Sequence, residues 1–225
     1  MSLHLHRDLE KLKKEILELG NMVEVAINDA ILALINRSPE LAEKVFKGED
    51  FINAKEVQIE EECLKILALH QPVAVDLRFI VVVLKVNNDL ERMGDFARNV
   101  AERAMYLNSH EPIPSVPDFV NVLPGVVRTM VRNTLDALVK LDVEQARQVI
   151  KMDDKVDEIN RRMYREIQDM IRKDSNTIER AISLQSTSRY LERIADLATN
   201  IAEDVIFMVE GKVVRHSGEH DWDSD

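Results

Sequence analysis

Leu90-Glu91-Arg92-Met93-Gly94-Asp95-Phe96-Ala97-Arg98-Asn99-Val100-Ala101-Glu102 returns about a hundred residues later as Leu191-Glu192-Arg193-Ile194-Ala195-Asp196-Leu197-Ala198-Thr199-Asn200-Ile201-Ala202-Glu203. Eight of the thirteen positions are identical, and most of the others exchange one apolar residue for another. Leu, Glu, Arg, Asp, Asn and Glu recur at unchanged spacing, which marks a duplication. A period of about 101 residues is too long for a solenoid unit and suits a small domain used twice. Both copies carry Glu and Asp four residues apart, so any chemistry assigned to one must be asked of the other.

The 225-residue chain accommodates two halves of about 110 residues within one body. Hydrophobic residues make up 45% and charged residues 32%, enough for a buried core under a well-solvated surface. Six glycines, six prolines and 4% aromatics leave little material for sheets and turns, which favours long helices. The net charge of -11 disfavours a nucleic-acid backbone as partner and suits cations or basic surfaces. Cys63 is the only cysteine, which excludes an intramolecular disulfide. Its setting, Ile59-x-x-x-Cys63-x-x-Ile66, reads as core packing. No apolar signal core opens the chain, and no apolar run, Phe79 to Leu84 included, exceeds six residues. A soluble, cytoplasmic protein is the expectation.

Leu5, Leu9, Leu12, Ile16, Leu19, Val23, Ile27, Ala30 and Leu34 follow a three/four spacing, which predicts one amphipathic helix over 4–36. Ser38 and Pro39 restart the helix as cap and first-turn proline. The next helix runs to about residue 69 and stops at His70-Gln71-Pro72; a third spans 73–108. Phe79 to Leu84 is β-branched, but the charged helical pattern on both sides argues for helix. Glu111-Pro112-Ile113-Pro114-Ser115-Val116-Pro117 is a proline-rich linker near the middle. Helices over 118–141, 143–173 and 176–211 follow. Pro124-Gly125 either kinks the first of these or marks its true start. Asp142 and Gln145 form a capping box, and Asp174 to Thr177 form a turn. Met152, Met163 and Met170 read as core. The expected organisation is all-α: a three-helix bundle over 1–110, a linker over 111–117, a second bundle over 118–211, and a polar tail over 212–225.

Residues four apart on a helix stand one above the other. Glu91 and Asp95 therefore project together, as do Glu192 and Asp196. Both pairs fall off the stripe made by Leu90, Met93, Ala97, Val100 and Ala104, so they line an outer surface or a groove. The preceding helix of each half holds a second pair: Asp153 with Asp157, and Glu49 with Asn53. Two such ladders on antiparallel neighbours can converge on one cation, and their hard oxygens suit Mg, Ca, Mn or Fe. A solvated face accounts for any one copy, because Arg92 and Arg193 lie three residues before Asp95 and Asp196. Four corresponding like-charged or amide pairs argue against that reading, since like charges four apart are mildly destabilising. No Glu has a His three residues on, as a ferritin-like di-iron site requires. No glycine-rich phosphate loop is present, and His70, at a helix end, reads as a cap or surface residue.

Taken together the chain resembles the PhoU family of phosphate-signalling regulators. The likeness is carried by Gly20-Asn21-Met22-Val23-Glu24, by Glu62 to Pro72 followed by Asp76-Leu77-Arg78, and by both Leu-Glu-Arg blocks. Asp154-Lys155-Val156-Asp157 and Gly211 to His216 extend it. The resemblance implies two similar three-helix bundles packed side by side, with multinuclear metal clusters at surface E/D-x-x-x-D motifs. Iron is the first expectation, with zinc, manganese, magnesium or nickel as alternatives. By position the ligands would be Asp153, Asp157, Glu192 and Asp196 in the second half, and Glu49, Asn53, Glu91 and Asp95 in the first. Asn53 departs from the motif, so the first site loses one charge and is expected to hold metal more weakly.

The resemblance also implies a negative regulator without catalytic activity. It would link the Pst phosphate transporter, through its ATPase, to the phosphate-sensing histidine kinase. It would act as a homodimer, in the cytoplasm, reaching the inner membrane only through these partners. Two other classes compete: a carboxylate-bridged di-metal oxidase or phosphohydrolase, and a purely structural acidic bundle. The enzyme class needs an enclosed pocket with an open metal position, which ladders on an outer face do not readily supply.

Overall fold

The computed structural model describes residues 3–113, 119–212 and 214. Six long helices follow one another: α1 (Leu3–Ile35), α2 (Pro39–His70), α3 (Ala74–Asn108), α4 (Phe119–Lys140), α5 (Val143–Lys173) and α6 (Ile178–Glu210). No strand occurs among the described residues. Of the expected linker, Pro114 to Pro117 lie outside the described residues, as does almost all of the expected tail beyond Lys212.

Local chemistry sets most of these boundaries. Ser38 Oγ accepts the Leu41 N–H at 3.4 Å, and Pro39, lacking an N–H, occupies the first helical position of α2. Asp142 Oδ1 accepts the Gln145 N–H at 3.0 Å and starts α5. Gly211 closes α6 at φ 74, a left-handed conformation that a side chain resists, and its N–H reaches Phe207 O at 2.9 Å. One expectation is corrected and one open alternative is resolved. The last helix begins at Ile178 rather than 176, because Asp174 accepts from Asn176 N and folds Ser175–Thr177 into a 3-10 turn. Pro124 does not start α4, which runs through it from Phe119.

α1, α2 and α3 pack as one bundle and α4, α5 and α6 as a second. The bundles meet side by side along α3 against α6 and along α1 against α4. α3 and α6 are antiparallel: Arg78 meets Phe207, Lys85 meets Asp204, Phe96 stacks with Tyr190, and Tyr106 bonds to Glu179. A shift of 101 residues turns the Arg78–Phe207 pair into the Glu179–Tyr106 pair, so the duplication is also a pseudo-twofold axis. In α3, with α1, α2 and α6 around it, Ile80, Val82 and Val83 are all buried. A helix covered on several sides loses its polar face, which is why this stretch reads as β-branched and uniformly apolar. A Cβ on Gly20 would come within 2.8 Å of Leu135 Cδ2, so glycine there permits the close approach of α1 and α4.

Candidate functional site

α2 runs antiparallel to α3, and three contacts fix its register. Arg98 binds Glu49, Gly94 lies under Ile52, and Asn87 Nδ2 donates to Glu56 O at 2.9 Å. Glu49 and Asp95 therefore share one level of the α2–α3 seam. Glu91 sits a turn further on, beside Asn53 and Glu56. The second half repeats the seam between α5 and α6, where Ser188 Oγ donates to Asn160 Oδ1 at 2.6 Å. Shifts of 104 and 101 residues carry Glu56 onto Asn160 and Asn87 onto Ser188, so the two seams share one register.

All eight positions named from the sequence fall on these seams. Glu49, Asn53, Glu91, Asp95, Asp153 and Glu192 are half-buried, and Asp157 and Asp196 lie at the open edge. The setting is a groove rather than a flat surface. In the second groove burial pushes the Asp153 carboxyl up to about 6, and repulsion from Asp196, Asp157, Asp154 and Glu192 adds to it. Burial and then Asp196 and Asp157 raise Glu192, with the Asn160 amide partly offsetting them. Asp196 is raised by burial, against the pull of Arg193. Carboxyls from two helices thus destabilise one another's charge in one place, the arrangement that a cation relieves.

The first groove is less concentrated. Burial raises Glu49 while Arg98 Nε, 2.9 Å from its Oε2, pulls the other way. Position 199, the counterpart of Arg98, holds Thr, so this guanidinium belongs to the first groove alone. Burial, Asp95 and Glu56 together raise Glu91. Glu56 is itself raised by burial and by Glu60. Asn53 Oδ1 is buried with no hydrogen-bond donor on it. Sequence reading missed Glu56, Asn160 and Arg98, because it followed four-residue spacing and these lie three residues on or across the seam.

Whether these residues suit a metal ion can be judged on their atoms. Among the described residues no group of three or more His, Cys, Asp or Glu side chains is drawn tightly enough to hold one as it stands. The chemistry nevertheless fits: every donor is a hard oxygen, the carboxyls repel one another, and Asn53 Oδ1 is an orphaned acceptor at the same seam. Elsewhere, Cys63 is fully buried and its thiol is pushed up to about 12 by burial, so it is core and no nucleophile. His70 ends α2 with Nε2 3.0 Å from Asp8 Oδ2, tying α2 to α1.

Comparison with known proteins agrees with this architecture. The PhoU domain model matches the chain twice, at residues 16–104 and 123–205. The PhoU homolog of Aquifex aeolicus, named as a phosphate-specific transport system accessory protein, is 39% identical over 94% of this chain and 96% of its own length. The accessory protein PhoU of Escherichia coli is 32% identical, over 94% of this chain and 87% of its own. The crystal structure of PhoU from Pseudomonas aeruginosa superposes with a TM-score of 0.90 at 39% identity, covering 92% of this chain and 99% of that one. PhoU from Streptococcus pneumoniae gives 0.85 at 26% identity, over 93% and 99%. Twofold domain matches, near-full-length relatives and a shared fold place this chain in the PhoU domain family.

Proposed function

We propose that this chain is the accessory protein of a phosphate-specific transport system and acts as its negative regulator. In this reading it restrains uptake through the transporter ATPase and restrains the starvation response through the phosphate-sensing histidine kinase. It is a docking protein rather than a catalyst, and it works as a homodimer at the cytoplasmic face of the membrane. Among the described residues no helix is long and apolar enough to cross a membrane, so membrane contact would come through partners. The observation that carries the reading is the pair of acidic grooves, repeated at equivalent seams in a chain whose relatives bear the accessory-protein name.

The grooves are proposed to hold multinuclear metal, iron first, with zinc, manganese, magnesium or nickel as alternatives. Asp153, Asp157, Glu192 and Asp196 would hold it in the second half; Glu49, Asn53, Glu91 and Asp95 supply the first. A bound cluster would supply fixed positive charge at the surface. The residues contribute oxygen donors from two adjacent turns of the seam, and the fixed charge would turn an acidic groove into a neutral or basic docking face. Charge complementarity of that kind sets partner choice and association rate more than raw affinity.

The test is Glu192→Ala with Asp196→Ala in a strain carrying a starvation-gene reporter. Removing two mutually repelling carboxylates leaves the apolar seam intact, so the melting temperature should hold or rise slightly. The reporter should be derepressed in ample phosphate. Full repression by a stable, metal-free double variant would show the second groove to be dispensable for regulation.

A further inference from the structure

The α3–α6 interface is unequal on the two sides of the pseudo-twofold axis. A shift of 101 residues carries Lys85, Asn88, Asp89 and Arg92 of α3 onto Ser186, Arg189, Tyr190 and Arg193 of α6. It likewise carries Phe96 and Arg103 of α3 onto Leu197 and Asp204 of α6. On the first side the charges close on themselves: Lys85 pairs with Asp204, and Arg92 with Asp89 at 3.8 Å. On the second side Tyr190 stands where Asp89 would be and Arg103 where Asp204 would be. That leaves Arg103, Arg189 and Arg193 without those carboxylates, in a chain of net charge -11. We propose that the second side is a binding site for a nucleoside phosphate, with the base on the Phe96–Tyr190 pair and the phosphates on the arginines.

Phe96, Ser186, Arg189, Tyr190 and Arg193 line one cavity of about 350 Å³, within the range of small-ligand pockets. Phe96 and Tyr190 are half-buried and stacked, with ring centroids 6.1 Å apart and planes at 24°. A ring pair of this kind offers a face on which an aromatic base stacks. Arg189 and Arg193 are exposed on successive turns of α6, and among the described residues neither forms a hydrogen bond or an ion pair. Like charges four apart repel, and an anion between them removes the repulsion. Arg193 also pulls on Glu192 and Asp196 of the neighbouring groove, so Arg189 is the freer of the two. Arg103 stands seven residues from Phe96 on the same face of α3, and the axis sets it level with Ser186. Its Nε is buried with no acceptor, and Glu102 Oε2 lies 4.0 Å from its Nη2, the long limit of an ion pair. Ser186 turns its hydroxyl to Ile182 O at 2.9 Å, which leaves the anion to the guanidiniums. From residue 193 to residue 186 the α6 stripe spans about 10 Å. A base at the Phe96 end therefore leaves its phosphates along Arg189 toward Arg103, and planar guanidiniums hold phosphate oxygens in pairs.

The site does not depend on metal in the acidic grooves, so the full chain is tested in chelator. Adenosine diphosphate, adenosine triphosphate, adenosine and inorganic pyrophosphate are titrated by calorimetry, with circular dichroism on every variant. Both nucleotides should bind once per chain, with adenosine and pyrophosphate each about tenfold weaker or more. Arg189→Gln and Arg103→Gln should each weaken the diphosphate about tenfold, since each removes a charge-assisted contact. Tyr190→Leu should weaken both nucleotides and leave pyrophosphate unchanged. Arg92→Gln, on the internally paired side, should leave nucleotide affinity as it is. Pyrophosphate that binds as tightly as the diphosphate, with both indifferent to Tyr190→Leu, would overturn the nucleoside assignment. Folded wild type that binds neither nucleotide, or binding indifferent to both arginine changes, would overturn the site.

Discussion

At the scale of single residues the two halves differ by exchanges that compensate. Gly94 on α3 faces Ile52 on α2, and a Cβ at 94 would meet Ile52 Cγ2 at 3.2 Å and Cδ1 at 3.3 Å. The equivalent positions in the second half are Ala195 and Val156, both buried, so one methyl has moved across the seam. Gly94→Ala gains about 0.5–1 kcal/mol of helix propensity, while overpacking a close seam costs roughly 1–3 kcal/mol. Gly94→Ala alone is therefore expected to destabilise, and Ile52→Val, which removes the Cδ1 contact, to recover about 1 kcal/mol of that loss. Denaturant melts of the four proteins in this cycle check it; strict additivity would contradict the seam described. A second prediction concerns Asp153, whose folded carboxyl sits at about 6 against an ordinary 3.8. Because the folded value is the higher, the group favours the fold below about pH 4 and loses that contribution as pH rises through about 6. In chelator, wild type should lose melting temperature across that window more steeply than Asp153→Asn. Parallel curves would show that the repulsion at Asp153 is not felt by the fold.

At the scale of elements, α3 and α6 are the spine of the molecule. Asp204 on α6 is 1% exposed and pairs with Lys85 of α3, whose ammonium also lies 5.7 Å from the Phe207 ring. Lys85→Met is predicted to cost about 2 kcal/mol by removing a charged partner from a buried carboxylate. Adding Asp204→Leu should recover much of the loss, because paired apolar replacements of buried ion pairs are often neutral. A double variant less stable than Lys85→Met, in thermal and urea melts alike, would refute this. The helices themselves were legible in the sequence, since Ser38, Asp142 and Gly211 signal their ends by side-chain chemistry or by glycine's freedom at positive φ. The start of α6 was not, because Asp174 can cap a 3-10 turn as readily as an α-helix. Nor was the central placement of α3 legible: periodicity marks which stripe is apolar, whereas α3 is covered by α1 and α2 and also by α6, about a hundred residues further along the chain. The eight motif residues were found through their four-residue spacing. Glu56 was not, since only the register set by Asn87 brings its turn of α2 close to that of Glu91.

At the scale of the whole molecule the duplication has produced two acidic grooves on one body with a shared core. The buried apolar residues form a continuous core through all six helices. On α6, Leu184, Leu191, Leu197, Ala198 and Ile201 are all buried, which takes cover from both bundles. Separating the halves would expose these surfaces and strand Asp204 without Lys85. Melting should therefore be a single transition, with calorimetric and van't Hoff enthalpies equal, although a chain of two domains would ordinarily show two. Metal bound in either groove, as proposed, would then act on the same transition. With the first groove disabled by Glu91→Gln and Asp95→Asn, manganese at a hundredfold excess over its dissociation constant should stabilise the whole protein by about 2.7 kcal/mol per site. The full melting curve should move together. A curve that splits, with one half shifted and the other left behind, would show that the shared α3–α6 interface does not couple the bundles. Each groove would then report to its own half alone. A curve that moves as one makes occupancy of either groove a property of the entire body, which the proposed role as a regulator facing two partners would require.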